Sequence, residues 1–133
     1  VQTCALPISL IQGHSRQVLM ASDKVLLASG TVTLEAMLCK TPMVVAYRMS
    51  ALTYAIAKRV IKVPFISLPN LLLGRRVVPE CIQDQANPIE LAKQLSGLNR
   101  ESILHNFVQI HQQLAQNAAE QASQKIASLL DKK

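Results

Sequence analysis

The residues best suited to chemistry are Ser29, Gly30, Thr31 and Glu35, in the run Val25-Leu26-Leu27-Ala28-Ser29-Gly30-Thr31-Val32-Thr33-Leu34-Glu35. Four apolar residues, a Gly/Ser/Thr turn, and then Leu34, Met37 and Leu38 at helical spacing read as strand, turn and helix. Gly30 permits a sharp turn or a close approach of the backbone to a ligand. The first turn of a helix leaves backbone N–H groups without intrahelical partners at the positive end of the dipole, which suits a phosphate. Glu35 lies four residues beyond Thr31 and on the same face. A carboxylate there can accept both hydroxyls of a ribose, as acidic residues do in dinucleotide folds. The plain alternative is an ordinary strand–turn–helix in which Thr31 caps the helix and Glu35 complements its dipole.

Further candidates follow along the chain. Tyr47-Arg48 closes an apolar run, and Arg48 there either pairs bidentately with a phosphate or is a solvated surface arginine. Glu80 and Gln83 are three apart in a predicted helix over 77–83, with Pro79 near its first position. They would share a face, and their side chains suit a hydroxyl-rich ligand. Lys58, Arg59 and Lys62 crowd the C-terminal half of a predicted helix over 50–63. The dipole alone explains cations there; the sharper reading is a basic amphipathic surface on anionic lipid. His14 sits in a loop, and His105 and His111 are six apart on a predicted helix, so no two histidines share a face to hold a metal. Cys4, Cys39 and Cys81 are scattered, odd in number and without a CxxC pair, which reads as free thiols in a reducing compartment.

These residues must be carried by alternating strands and helices. Strands are predicted over 8–11, 25–28, 43–47 and 65–68. A short helix capped by Ser15, with Val18, Leu19 and Ala21 inward, links the first two. A helix over 31–39 links the next two, with Pro42 closing the connection. Apolar strands separated by helices imply an α/β fold, a Rossmann-like parallel sheet with helices on both faces. Ligands of such sheets lie at the carboxyl ends of the strands. Leu71, Leu72 and Leu73 fall in a predicted loop from Pro69 to Arg76, where they either bury or meet something apolar outside. Asn87-Pro88 opens a helix with Ile89, Leu91, Ala92 and Leu95 apolar, and Gly97 ends it.

Residues 100–130 read as one long helix, with Ile103, Phe107, Ile110, Leu114, Ala118, Ala122, Ile126 and Leu129 stepping by three or four. Such a helix spans roughly 45 Å. A body of about 100 residues has a radius of gyration near 13 Å. The helix would overhang and pack on another domain or a second subunit. The division expected is an unplaced segment over 1–7, a ligand-binding domain over 8–98, and this helix with its tail over 99–133.

The 133 residues suffice for one domain with a sizeable core, and with no Trp, two Tyr and two Phe that core is aliphatic. Fourteen basic against eight acidic residues give a net charge of +6, which favours an anionic partner. The shortage of aromatic residues argues against single-stranded nucleic acid. No apolar run approaches membrane-spanning length. The chain opens on Val1, carries no charged leader and reads as a piece of a longer protein. Nucleotide-loop, zinc-protease and serine-hydrolase signatures are missing, as is any Asp-x-Asp pair to hold a metal under a diphosphate. A diphosphate bound here would have to be offset by a helix N-terminus and arginines.

Taken together, three motifs resemble the C-terminal half of the lipid-A-disaccharide synthases: Ser29-Gly30-Thr31-x-Thr33-Leu34-Glu35, Pro42-Met43-Val44-Val45-Ala46-Tyr47-Arg48, and Ser67-Leu68-Pro69-Asn70-Leu71-Leu72 with Gly74-Arg75. The resemblance runs from about residue 8 to near the end, including His111-Gln112-Gln113 and Ala119-Glu120-Gln121-Ala122. It implies the donor-binding domain of a GT-B glycosyltransferase, metal-independent and without a cofactor. The family transfers 2,3-diacylglucosamine from its UDP derivative to 2,3-diacylglucosamine 1-phosphate, at the cytoplasmic face of the Gram-negative inner membrane.

By the same resemblance, Ser29, Gly30 and Thr31 would bind the diphosphate and Glu35 the ribose. Tyr47 and Arg48 would lie near the diphosphate, with Arg48 offsetting leaving-group charge. Asn70, Glu80 and Gln83 would line the sugar or uracil side. The general base is expected on a missing N-terminal domain, so this half would not turn over alone. Rival readings are another GT-B transferase or epimerase using UDP-N-acetylglucosamine, a basic nucleic-acid-binding domain, and an interaction module built on the long helix.

Overall fold

The computed structural model describes residues 7–50, 53–54, 64–115 and 118–130. Three short strands, β1 (Val25–Ala28), β2 (Met43–Tyr47) and β3 (Glu80–Ile82), form a parallel sheet in the order β1-β2-β3. Val25 pairs with Met43 and Ala28 with Ala46, while Val45 pairs with Glu80 and Tyr47 with Ile82. Parallel neighbours need crossovers rather than hairpins. Helix α1 (Ser15–Ala21) precedes β1, α2 (Val32–Leu38) joins β1 to β2, and α3 (Leu68–Leu73) lies on the path from β2 to β3. A 3-10 turn (Gln83–Gln85), α4 (Pro88–Ser96), α5 (Arg100–Leu114) and α6 (Ala118–Leu130) follow.

Met43 and Val45 point from β2 into a cluster with Leu19, Ala36, Met37, Val78, Ile103, Phe107 and Ile110. Val44 points the other way and is also fully buried, on the side where α4 packs against β2. Helices therefore cover both faces of the central strand, the expected Rossmann-like α/β arrangement. The edge strand β1 is less enclosed: Val25 and Leu27 pack on the core, but Leu26 is 46% exposed.

Several sequence expectations are corrected. Residues 8–11 form no strand; Ile8 and Leu10 are almost fully exposed. Among the described residues they pair with neither β1 nor any other strand, and an unpaired strand does not hold. In α1 Leu19 is buried but Ala21 faces out, and in α2 the buried face is Thr33, Ala36 and Met37 rather than Leu38. Residues 65–68 are not a strand, and the leucine run after them is helical, not a loop. Ser67 precedes α3, Pro69 occupies its first turn, and Gly74 closes it in the left-handed conformation at φ 63°. That start and stop pattern outweighs the loop reading. Leu73 packs against the core while Leu72 faces out, which settles where the leucines go.

The predicted helix over 77–83 is instead β3, because residues 80–82 complete the sheet beside β2. In α4 Asn87 caps the helix by accepting the Glu90 N–H, but Ile89 is 83% exposed. The single long helix is two: α5 ends at Leu114, with Ala115 in a turn, and α6 starts at Ala118. Ile103, Phe107 and Ile110 of α5 belong to this chain's own core, so that half does not overhang. The exposed apolar residues Ile126, Leu129 and Leu130 all lie on α6. Of the predicted helix over 50–63, Thr53 and Tyr54 are helical and Ser50 Oγ accepts the Thr53 N–H. Lys58, Arg59 and Lys62 lie outside the described residues, as do residues 1–6. No described helix is long and apolar enough to cross a membrane.

This packing makes a contrast that urea denaturation can read. Phe107→Ala should cost about 3–5 kcal/mol by opening a cavity among fully buried neighbours. Ile126→Ala on the exposed stripe should stay within about 0.5 kcal/mol. Comparable losses at both positions would mean that α6 packs on the same body.

Candidate functional site

The parallel register gathers three chain segments at the carboxyl edge of the sheet. One residue past the pair Ala28–Ala46 stand Ser29 and Tyr47; one past Tyr47–Ile82 stand Arg48 and Gln83. Of the predicted site residues, Ser29, Gly30, Thr31, Tyr47, Arg48 and Gln83 thus meet along one edge. Glu35 follows in the first turn of α2.

The turn after β1 is shaped by Gly30, whose φ of 130° is one that side-chain-bearing residues rarely adopt. A Cβ at Gly30 would meet no atom within 4 Å, so the turn faces open space. Thr31 precedes α2 and no side chain caps the helix; the Thr33 N–H donates to the Gly30 carbonyl at 3.1 Å, and the Leu34 and Glu35 N–H groups donate to the Thr31 carbonyl at 3.0 and 3.2 Å. The expectation of Thr31 as a side-chain cap is therefore not met. Thr33 takes a different part: its hydroxyl donates to the Gly30 carbonyl at 2.7 Å and accepts the Leu68 N–H at 3.3 Å. Fully buried, it ties the turn to the start of α3.

Glu35 is exposed and, with Ser15, Arg16, Leu38 and Cys39, lines a cavity of about 300 Å³ between α1 and α2. Arg16 brings a positive charge to the same hollow, which none of Ser29, Gly30, Thr31, Tyr47 and Arg48 lines. Tyr47 is half-buried and Arg48 exposed. A larger hollow of about 510 Å³, lined by Arg75, Asn99, Glu101, Ser102, His105 and Asn106, contains none of the carboxyl-edge residues.

Asn70 and Glu80 are placed differently from the rest. The Glu80 carboxylate is buried and accepts the N–H groups of Ile66 (3.0 Å) and Ser67 (2.8 Å), the Ser67 hydroxyl (2.6 Å) and the Asn70 amide (2.8 Å). Asn70, fully buried, also donates to the Val78 carbonyl and accepts the N–H groups of Val77 and Val78. Both side chains are consumed in holding the entrance of α3 against β3. Glu80 keeps a narrow border on a separate hollow of about 200 Å³ with Pro64, Phe65, Arg76, Ile82 and Gln85. Because residues 80–82 are a strand, Glu80 and Gln83 do not share a helical face. Gln83 instead reaches back to Met49: the Met49 N–H donates to its Oε1 at 2.8 Å, and its Nε2 donates to the Met49 carbonyl at 3.1 Å.

Among the described residues two titratable groups are shifted, both chiefly by burial. The Lys40 ammonium is held below its usual range, and it donates to the Phe107 carbonyl while resting 3.0 Å from Nδ1 of His111. His111 thus joins the α2–β2 turn to α5. The Cys81 thiol, buried in β3, is pushed up by desolvation and further by Glu90, with Arg76 opposing. Among the described residues no three metal-binding side chains converge.

The sequence reading missed Thr33, Ser67 and Arg16 as parts of the site. Thr33 and Ser67 stood inside the resemblance motifs, where a small hydroxyl beside a turn was the available signal. Arg16 carried none.

The chain matches the family described as lipid-A-disaccharide synthetase over residues 2–132. The chain belongs to that family. It is 51% identical over 130 residues to the lipid-A-disaccharide synthase of Pseudomonas aeruginosa, covering 96% of this chain and 34% of that protein. The synthase of Hahella chejuensis is 48% identical over 131 residues (96% and 33%). That of Haemophilus influenzae is 47% identical over 135 residues (95% and 35%). The chain spans about a third of the length of the curated relatives it matches.

The buried network can be checked by stability measurements. Glu80→Ala strands two N–H groups, a hydroxyl and an amide, and should cost roughly 3 kcal/mol; Thr33→Val should cost about 1–2 kcal/mol. A near wild-type urea midpoint for Glu80→Ala would mean that water replaces the carboxylate and the network holds little together.

Proposed function

We propose that this chain is the donor-binding half of an inverting glycosyltransferase of the GT-B type in lipid A biosynthesis. The whole protein would transfer 2,3-diacylglucosamine from its UDP derivative to 2,3-diacylglucosamine 1-phosphate. Membership of the family supports the reaction class. The observation that carries the donor role is the meeting of Ser29–Thr31 and Tyr47–Arg48 at one carboxyl edge, where parallel α/β sheets take nucleotides.

In this reading the diphosphate sits on the Ser29-Gly30-Thr31 turn, held by backbone N–H groups and the two hydroxyls. Glu35 accepts the ribose hydroxyls in the hollow it lines. The acceptor hydroxyl attacks the anomeric carbon from the face opposite the diphosphate, and the bond to the leaving oxygen breaks with its electron pair going to UDP. The hydroxyl proton passes to a base on the N-terminal domain. Arg48 offsets the charge that grows on the departing diphosphate. The turn and the arginine supply positive potential without a metal, so binding is metal-independent. This half does not turn over alone.

The exposed stripe of α6 is assigned to contact with the N-terminal domain or a second subunit. The basic residues Lys58, Arg59 and Lys62 are assigned to a peripheral approach to the cytoplasmic face of the inner membrane. Nucleic acid is not a partner in this reading.

A calorimetric titration of the full chain tests the reading. UDP should bind saturably, equally with and without EDTA, more tightly than UMP and independently of random DNA. Glu35→Ala should weaken UDP about tenfold or more, the loss of hydrogen bonds to a charged group. Unchanged affinity would remove Glu35 from the ribose, and no UDP binding by a folded chain would reject the site.

A further inference from the structure

We infer that Gln83 is a positioning residue that fixes the backbone on which Arg48 stands, rather than a group that touches the nucleotide. This rests on the donor-site reading and gives Gln83 a part that its earlier placement beside the sugar did not.

The ladder between β2 and β3 ends at the pair Tyr47–Ile82. Beyond it the two chains part. Gln83 turns into the left-handed region at φ 54° and opens the 3-10 turn Gln83–Gln85, so its own backbone cannot continue the pairing. Its side chain does so instead. One carboxamide receives the Met49 N–H and donates to the Met49 carbonyl, satisfying both backbone groups that a neighbouring strand would otherwise pair. The side-chain amide extends the sheet by one rung, across to the loop that leaves β2.

Arg48 lies between the last residue of β2 and this clamped Met49. Its backbone is therefore held on both flanks while its side chain is exposed at the carboxyl edge. Among the described residues, the next backbone bond along the chain is from the Tyr54 N–H to the Ser50 carbonyl. Glutamine suits the task because its amide offers a donor and an acceptor in one plane. Glutamate can only accept, and leucine does neither. Glycine would relax the left-handed backbone, yet the chain carries an amide there. An unfavourable backbone is retained where a specific side-chain contact needs it.

The test uses the full chain with Gln83→Leu, Gln83→Gly and Arg48→Ala, alone and in combination. Gln83→Gly removes the amide while easing the backbone, so its result does not depend on a variant that fails to fold. Amide exchange at Met49, followed by NMR without ligand, should speed up about tenfold in both Gln83 variants. Calorimetry with UDP should show affinity falling about tenfold in each Gln83 variant, but less than twofold when Arg48 is already alanine. Unchanged Met49 exchange would overturn the clamp. Full and additive losses in the double variants would overturn positioning, because Gln83 would then meet the nucleotide itself. A wild-type chain that binds no UDP would sink the donor reading, while Met49 exchange, which needs no ligand, would still decide the clamp.

Discussion

The carboxylate of Glu80 must find hydrogen-bond donors inside the fold, and the arrangement of the carboxyl edge depends on how it does so. A buried carboxylate without partners is strongly unfavourable. Here four donors converge on it, from Ile66, Ser67 and Asn70, which lie before and within α3. Asn70 extends the network to both sides of Val78. The start of α3 then presents the Leu68 N–H to Thr33, and Thr33 holds the carbonyl of Gly30. One chain of hydrogen bonds runs from β3 through α3 to the turn after β1.

That chain explains why motifs distant in sequence belong together. The Ser-Gly-Thr-x-Thr turn, the Ser-Leu-Pro-Asn segment and the Pro-Glu pair at the start of β3 are parts of one bonded body. Asn70 and Glu80 are its interior, and Ser29, Gly30, Thr31 and Arg48 are its proposed working surface. The proposed handling of a diphosphate rests on that rigidity. Backbone N–H groups and one arginine act on charge only if they are held where the charge develops. The turn is held by Thr33, and the loop bearing Arg48 by the Gln83 amide.

Much of this was legible in the residues. Strand, turn and helix over 25–38 followed from apolar runs and a Gly/Ser/Thr turn, and β2 from an unbroken apolar stretch before Tyr47. The failures came where local signals were balanced. Val77-Val78-Pro79-Glu80 has a proline and an acidic residue suited to a helix start, yet residues 80–82 became a strand because β2 offered a free ladder. Leu71-Leu72-Leu73 looked like a loop after Pro69, yet Gly74 capped it as a helix. The apolar stripe over 100–130 was read correctly as helical, but periodicity does not reveal a break at Ala115 or which half enters the core.

The sequence by itself determined the α/β class, the carboxyl-edge turn at Ser29–Thr31, the positive charge and the family. All of these rest on local pattern and on residue types in order. Only the tertiary structure decided that Asn70 and Glu80 are buried supports, that Gln83 clamps Met49, and that α5 belongs to the core while the stripe of α6 is exposed. A side chain's role depends on which donors and acceptors the fold brings within about 3 Å of it, and spacing along the chain does not encode that.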